Sequence, residues 1–415
     1  MLRRPAHAAL IAALLIAPAS AALADDDRAR CRKLGEAIEA GGADAGAIAD
    51  FAEACVHLNQ VQVLGSHNSY HEEPAPQLQD LIASFNVPGC GEPGGPPCGS
   101  DLAIVWEYSH IPLAAQFATQ GIRQVELDVF ADPDGGLFAL PLGSLLAPLD
   151  PPHDPDGLLF EPGFKVLHVQ DLDFRSSCLT LALCLEEIQQ WSAANPRHLP
   201  LTVLIELKEE PLPEVGLPFV VPLLFEAEDL DALDELIRSI FPPHQLITPD
   251  DVRGRQKSLE QAVLKRGWPA LEEARGRVLF ALDNGGELRD LYIADHPSLR
   301  DRVLFTDSPA GTPEAAFMKR NGPEGRVAEI QELVAKGYIV RTRADADTIE
   351  ARLGYTSRRD AALASGAQFV STDYPVPDPD FGTGYLVEIP GGAPGRCNPV
   401  NAPPGCRNTA LEAVH

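Results

Sequence analysis

Eight apolar, strand-like runs recur along this chain with helical patterns between most of them, and this alternation restricts the fold more than any other feature. The runs lie at 61–66, 122–130, 164–169, 201–208, 277–283, 303–307, 338–342 and 368–373. Helix-period patterns occupy 111–120, 179–194, 228–240, 258–274, 325–336 and 346–365. Eight strands alternating with helices, several of them rich in Val, Ile and Leu, predict an α/β fold: a closed, parallel, TIM-type (β/α)8 barrel with its helices outside. An open doubly wound sheet is the main competitor. It usually has fewer strands and often a glycine-rich phosphate loop after the first, and neither a GxGxxG nor a Walker sequence occurs here.

Segments outside the repeat divide the chain further. Arg3 and Arg4, an apolar run from Ala8 to Ala17 and the Ala22-Leu23-Ala24 site read as a signal peptide over 1–24, too short to span a bilayer. A helical extension is expected over 25–58, the barrel over 59–376 and an irregular tail over 377–415. Pro/Gly-rich stretches at 72–108 and 131–163 read as long loops above the barrel mouth. A proline-broken apolar insertion at 209–226 reads as a rim loop packed on the barrel rather than on lipid. The expected location is secreted or periplasmic. The eight cysteines agree, since an even count in an exported chain favours disulfides, and no CxxC pair supports a structural zinc site. Sequence proximity suggests Cys31–Cys55, Cys90–Cys98, Cys178–Cys184 and Cys397–Cys406.

A net charge of −27 argues against nucleic acid as a partner and against long residence on an anionic membrane. If the substrate is an anionic lipid, the site is a local positive patch on a negative body.

In a parallel barrel the functional face is the C-terminal ends of the strands. Those ends carry His67-Asn68, Glu126 and Asp128, His168, Glu206 and Lys208, Asp283-Asn284, Thr306-Asp307, Arg341 and Arg343, and Thr372-Asp373. Strand alternation puts Glu126 with Asp128, Glu206 with Lys208 and Arg341 with Arg343 on common faces. The oxygen-rich set suits a hard divalent cation, the histidines suit proton transfer and the lysine suits a phosphate, which together read as metal-assisted phosphodiester chemistry. Each residue alone has a plainer reading. A single strand-end histidine is usually structural, and an i, i+2 carboxylate pair is usually a solvated face. Asp283, Asp307 and Asp373 suit helix caps or turns, the reading favoured for Asp307 before Ser-Pro. His71, His110 and His153 fall in loops and read as incidental. These plain readings do not account for agreement across all eight strands.

His67-Asn68-Ser69-Tyr70, then Val125-Glu126-Leu127-Asp128, then a strand-end histidine and Glu206-x-Lys208 resemble the catalytic barrel of phosphatidylinositol-specific phospholipase C. The similarity is greatest to the calcium-dependent, secreted bacterial branch, and it covers about 60 to 375. It implies Asn68, Glu126, Asp128 and Glu206 as calcium ligands, His67 and His168 as the catalytic pair, and Lys208 as a phosphate contact. Asp283, Arg341, Arg343 and Asp373 fall to substrate binding. Calcium is preferred over magnesium because four protein oxygens, one an amide, suit its larger and more flexible shell. The implied reaction is attack by the inositol 2-hydroxyl on phosphorus, yielding diacylglycerol and an inositol (cyclic) phosphate. Either histidine can be the acid. The implied partner is a phospholipid met transiently at a membrane surface, by a monomer. The chain departs from the family after His168, where Val-Gln-Asp-Leu-Asp replaces a Gly-His-Thr-like run, and it lacks the eukaryotic accessory domains. A glycerophosphodiester or sphingomyelin phosphodiesterase on the same barrel is the alternative, although those families have His-Arg-Gly where this chain has His67-Asn68-Ser69. A non-catalytic binding barrel is the second alternative.

Overall fold

The apolar runs become strands because their alternate residues meet a helical layer on one side and the barrel interior on the other. The structure, a computed structural model, describes residues 19–85, 98–148, 152–213, 216–392 and 394–412, with side chains from residue 27 onward. Most of the expected signal peptide lies outside the described residues. In chain order the strands are β1 (Val61–Ser66), β2 (Gln124–Phe130), β3 (Lys165–Val166), β4 (Leu201–Leu207), β5 (Leu246–Ile247), β6 (Val278–Leu282), β7 (Leu304–Thr306), β8 (Phe317–Lys319), β9 (Ile339–Arg343), β10 (Phe369–Thr372) and β11 (Gly395–Cys397).

Parallel pairing runs β1–β2–β4–β6–β7 on one side and β1–β10–β9–β8 on the other. A single parallel bridge between Asp307 and Phe317 joins β7 to β8 and closes the ring. The barrel is therefore the expected one, with one member exchanged. Only Lys165 and Val166 of the 164–169 run are strand, and they pair antiparallel with the end of β2. A tight turn that bridges Val169 to Asp173 folds the run back across the mouth. The eighth barrel strand is β8, too short to carry an alternation signal. β5 extends the sheet beside β6, and β11 of the tail pairs antiparallel with the first half of β1.

Odd-numbered Val125, Leu127 and Val129 of β2 are fully buried against the helical layer, while Gln124, Glu126 and Asp128 face the interior. On the helix Leu181–Ala194, Leu181, Leu185 and Ile188 are fully buried at helical spacing, each burial contributing about 1.5–3 kcal/mol. The 258–274 and 346–365 patterns each split into two short helices, the second pair parted at Gly354, whose φ of +68° ends a turn that a residue with a Cβ resists. Two helices, Ala19–Glu39 and Ala45–Cys55, make up the N-terminal extension and are stapled by Cys31–Cys55. Cys178–Cys184 and Cys397–Cys406 also form as expected. Cys98 is disulfide-bonded as well, and Cys90 lies outside the described residues.

Candidate active site

The first loop of the site is held by the barrel itself. After β1, the amide of His67 donates to Thr372 and that of Ser69 to the carbonyl of Glu126, at 3.1 and 2.9 Å. Ser69 Oγ also accepts from the Glu126 amide at 2.8 Å. Between these anchors Asn68 takes a left-handed conformation (φ +42°), which asparagine tolerates. Its Nδ2 donates to Tyr108 Oη at 2.9 Å, and that leaves Oδ1 buried without a hydrogen bond.

Asn68 Oδ1 is one of several bare oxygens at these strand ends. Both carboxylate oxygens of Asp128 and Oδ1 of Asp283 are likewise buried and accept no hydrogen bond. Oxygens of Glu126, Glu206 and Asp283 lie within 4.8 Å of one another. Asp128 stands opposite Glu206 in the β2–β4 register. Cations surround this set on the protein side: Arg341 pairs with Glu126, Lys319 with Asp283, and Lys208 Nζ lies 3.4 Å from Asp128 and 3.7 Å from Glu206. Burial nevertheless pushes the Glu126 carboxyl up to about 7, opposed by Arg341 and helped by Asp283 and Glu206. Burial also pushes Asp128 well up, against the pull of Lys208. Burial alone would lower the Lys208 ammonium, but Asp128 and Glu206 outweigh it and hold it above its ordinary value. Buried carboxylate oxygens that accept no hydrogen bond are costly unless a cation satisfies them, and the clustered carboxylates of Glu126, Glu206 and Asp283 suit a hard cation such as calcium.

Each histidine singled out by the sequence is backed by an aspartate. His67 Nδ1 donates to Asp373 Oδ1 at 2.8 Å, and Arg343 Nη1 donates to His67 Nε2 at 3.1 Å. A donor on Nε2 requires a lone pair there, so the ring is neutral. Burial and Arg343 together hold its pKa well below the ordinary imidazole value, despite Asp373. Burial would raise Asp373, but His67 and Arg343 keep it low and ionised. His168 Nδ1 donates to Asp173 Oδ2 at 2.6 Å, and its ring is edge-on to Trp106 at 6.0 Å. Burial lowers its pKa, with Asp173 opposing. The side chains of His67 and His168 keep 16% and 18% exposure, enough to reach a substrate at the mouth.

The sequence-chosen residues fall into three groups. Glu126, Glu206 and Asp283 bring their oxygens together with Lys208 and Asp128 beside Glu206, so Asp283 stands with the carboxylates rather than apart at the substrate; His67, Arg343 and Asp373 form a second unit, and His168 joins Asp173 in a third. Arg341 lies beneath the mouth, 1% exposed and bonded to Glu126, Ser371 and Asn321. Asp173, Tyr108 and Lys319 escaped the sequence reading. Asp173 sits inside the Val-Gln-Asp-Leu-Asp departure, and Lys319 on the strand that was missed. Two loop histidines are not incidental: His71 is wholly buried against Asp173, and His110 Nε2 donates to the His67 carbonyl at 2.9 Å. His153 packs on Phe174 outside these groups.

The family model for phosphoinositide phospholipase C, Ca2+-dependent, matches residues 56–399. The chain belongs to this family. Calcium-dependent phosphoinositide hydrolysis is accordingly the activity of the barrel, and calcium its cofactor. Among solved structures, the chain is similar to a calcium-dependent phosphoinositol-specific phospholipase C from the Gram-negative Pseudomonas sp., in an apo form. The identity is 15% over 83% of this chain and 96% of that one, with a TM-score of 0.47. It is also similar to a Ca2+-dependent phosphatidylinositol-specific phospholipase C from Streptomyces antibioticus, at 16% identity over 77% and 96% and the same TM-score of 0.47. No curated protein matches the chain.

Proposed function

We propose that the site cleaves phosphatidylinositol by internal attack, with Asn68, Glu126, Asp128, Glu206 and Asp283 holding calcium beside two aspartate-backed histidines. One observation carries this reading: buried oxygens of Asn68, Asp128 and Asp283 that accept no hydrogen bond occur at the same strand ends as two histidines, each bonded through Nδ1 to an aspartate, Asp373 or Asp173. Bound there, calcium supplies a Lewis acid that balances charge on the phosphoryl oxygens.

His67 is the base. Its Nε2 lone pair, met by Arg343 in the resting protein, takes the proton of the inositol 2-hydroxyl, and the freed oxygen forms the new bond to phosphorus. Lys208 and Arg343 donate to the phosphoryl oxygens, where negative charge builds. The bond from phosphorus to the glycerol oxygen breaks, and His168, entering the step as an imidazolium held through Nδ1 by Asp173, gives that oxygen its Nε2 proton and ends neutral. Diacylglycerol and an inositol cyclic phosphate leave. Arg341 serves as the counter-ion of Glu126 rather than as a substrate contact.

Contact with the bilayer falls to the rim. Leu140, Leu145, Leu146 and Phe160 after β2, and Val221, Leu223 and Leu224 after β4, are exposed at 43–67%. Phe219 and Val220 of the 209–226 insertion pack inward, so that segment combines the packed role expected of it with an exposed apolar tip. We also propose an exported, monomeric enzyme with the boundaries read from the sequence, supported by its disulfides and by the Arg3–Ala24 signal pattern.

The test is turnover on phosphatidylinositol, glycerophosphocholine and sphingomyelin with calcium or chelator. Cleavage of phosphatidylinositol should fall ~10²- to 10³-fold on chelation, the usual weight of a lost electrostatic stabiliser. Full activity in excess chelator refutes the cation role of the oxygen cluster.

A further inference from the structure

Each aspartate behind a histidine is also held on its far side. For Asp373 the holder is Arg343, which donates to Oδ2 at 2.9 Å. For Asp173 it is His71, whose Nε2 lies 2.9 and 2.8 Å from the two carboxylate oxygens. His71 Nδ1 lies 2.9 Å from the Tyr108 carbonyl. Both partners of His71 are acceptors, so a ring N–H on Nε2 is met by Asp173 and one on Nδ1 by the Tyr108 carbonyl. His71 and Asp173 are wholly buried, the Tyr108 ring covers His71 at 4.3 Å, and the His168 ring meets it edge-on at 5.6 Å. The Asp373 and Asp173 arms therefore have the same construction, with an arginine in one and a histidine in the other.

We propose that His71 is a positioning residue for the leaving-group step: it pins Asp173, which in turn keeps His168 oriented with Nε2 toward the departing oxygen. The inference rests on the assignment of His168 as the acid. Without His71, one side of a buried carboxylate loses its donors, and Asp173 must turn or take up a proton to recover one. Either change deprives the His168 Nδ1–H of its acceptor and frees the direction of the ring, which an aspartate fixes behind a catalytic imidazole.

Leaving-group dependence separates this role from simple scaffolding. A 4-nitrophenyl ester of inositol phosphate expels a weakly basic phenolate that needs little protonation, whereas the glycerol alkoxide needs a proton. His168→Ala should lose ~10²-fold or more on phosphatidylinositol and much less on the aryl ester. His71→Phe keeps a ring and loses both donors, so its loss on the lipid should exceed its loss on the aryl ester by about tenfold or more. His71→Gln, which can still donate to Asp173, should recover part of the difference, and it decides the question if the phenylalanine variant does not fold. Equal slowing on both substrates in the folded His71 variants, with discrimination intact in His168→Ala, overturns the positioning role alone. No discrimination in His168→Ala overturns the acid assignment, and the role of His71 with it.

Discussion

Calcium binding should release protons below neutral pH, because burial raises the pKa of one carboxyl of the site. Glu126 is 2% exposed, and its carboxyl is pushed up to about 7 in spite of Arg341. A group titrating at about 7 is about nine-tenths protonated at pH 6 and about one-tenth at pH 8. Ligation requires the ionised form, so apparent affinity should be about tenfold weaker at pH 6, a difference of ~1.4 kcal/mol. Asp128, also pushed up by burial, acts in the same direction. The effect on stability has a definite sign. A carboxyl raised in the folded state stabilises the metal-free protein fully below the ordinary 4.5, and that stability is lost as pH rises through 7. Added calcium should therefore raise the melting temperature more at pH 8 than at pH 6. Calorimetric titration at both pH values, in two buffers of different ionisation heat, counts the protons. Release approaching one per calcium or more at pH 6, falling by pH 8, is the expected result. Equal affinity at the two pH values with no proton release refutes the argument.

Lys208→Met removes the cation 3.4 Å from Asp128 and 3.7 Å from Glu206. Turnover should fall by ~10² or more while calcium binds no more weakly, since a competing positive charge is gone; weaker binding in a calcium titration would make Lys208 a structural support of the cluster. Leu223→Ser combined with Leu224→Ser removes two apolar side chains that are 43% and 66% exposed. Each leucine buried in lipid contributes up to about 1.5–3 kcal/mol, so binding to phosphatidylinositol vesicles should drop about tenfold or more. Hydrolysis of soluble inositol cyclic phosphate is the control, and equal losses on vesicles and on the soluble ester would remove the rim from the account.

The barrel was legible because its strands are apolar and its helices have clear spacing. The exchange of one strand was not. Val166-Leu167-His168-Val169 reads as strand in composition, but the Val169–Asp173 turn is a local backbone event that periodicity does not report. His168 still reaches the mouth because β3 leaves the C-terminal end of β2. The oxygen set was visible through the i, i+2 alternation of β2 and β4. Partnerships were not visible: Asp373 and Arg343 could be placed at strand ends, but only the β9–β10 register brings both to His67. His71 looked incidental because its meaning depends on Asp173, 102 residues away.

The most direct test of the account is phosphorus NMR of phosphatidylinositol vesicles turned over with calcium. If His67 activates the 2-hydroxyl and His168 protonates the glycerol oxygen, inositol 1,2-cyclic phosphate appears first and an acyclic monoester follows more slowly. An acyclic monoester formed from the outset with no cyclic species, or equal cleavage of a 2-deoxy analogue, would mean that water attacks phosphorus and would contradict the assignment of the site.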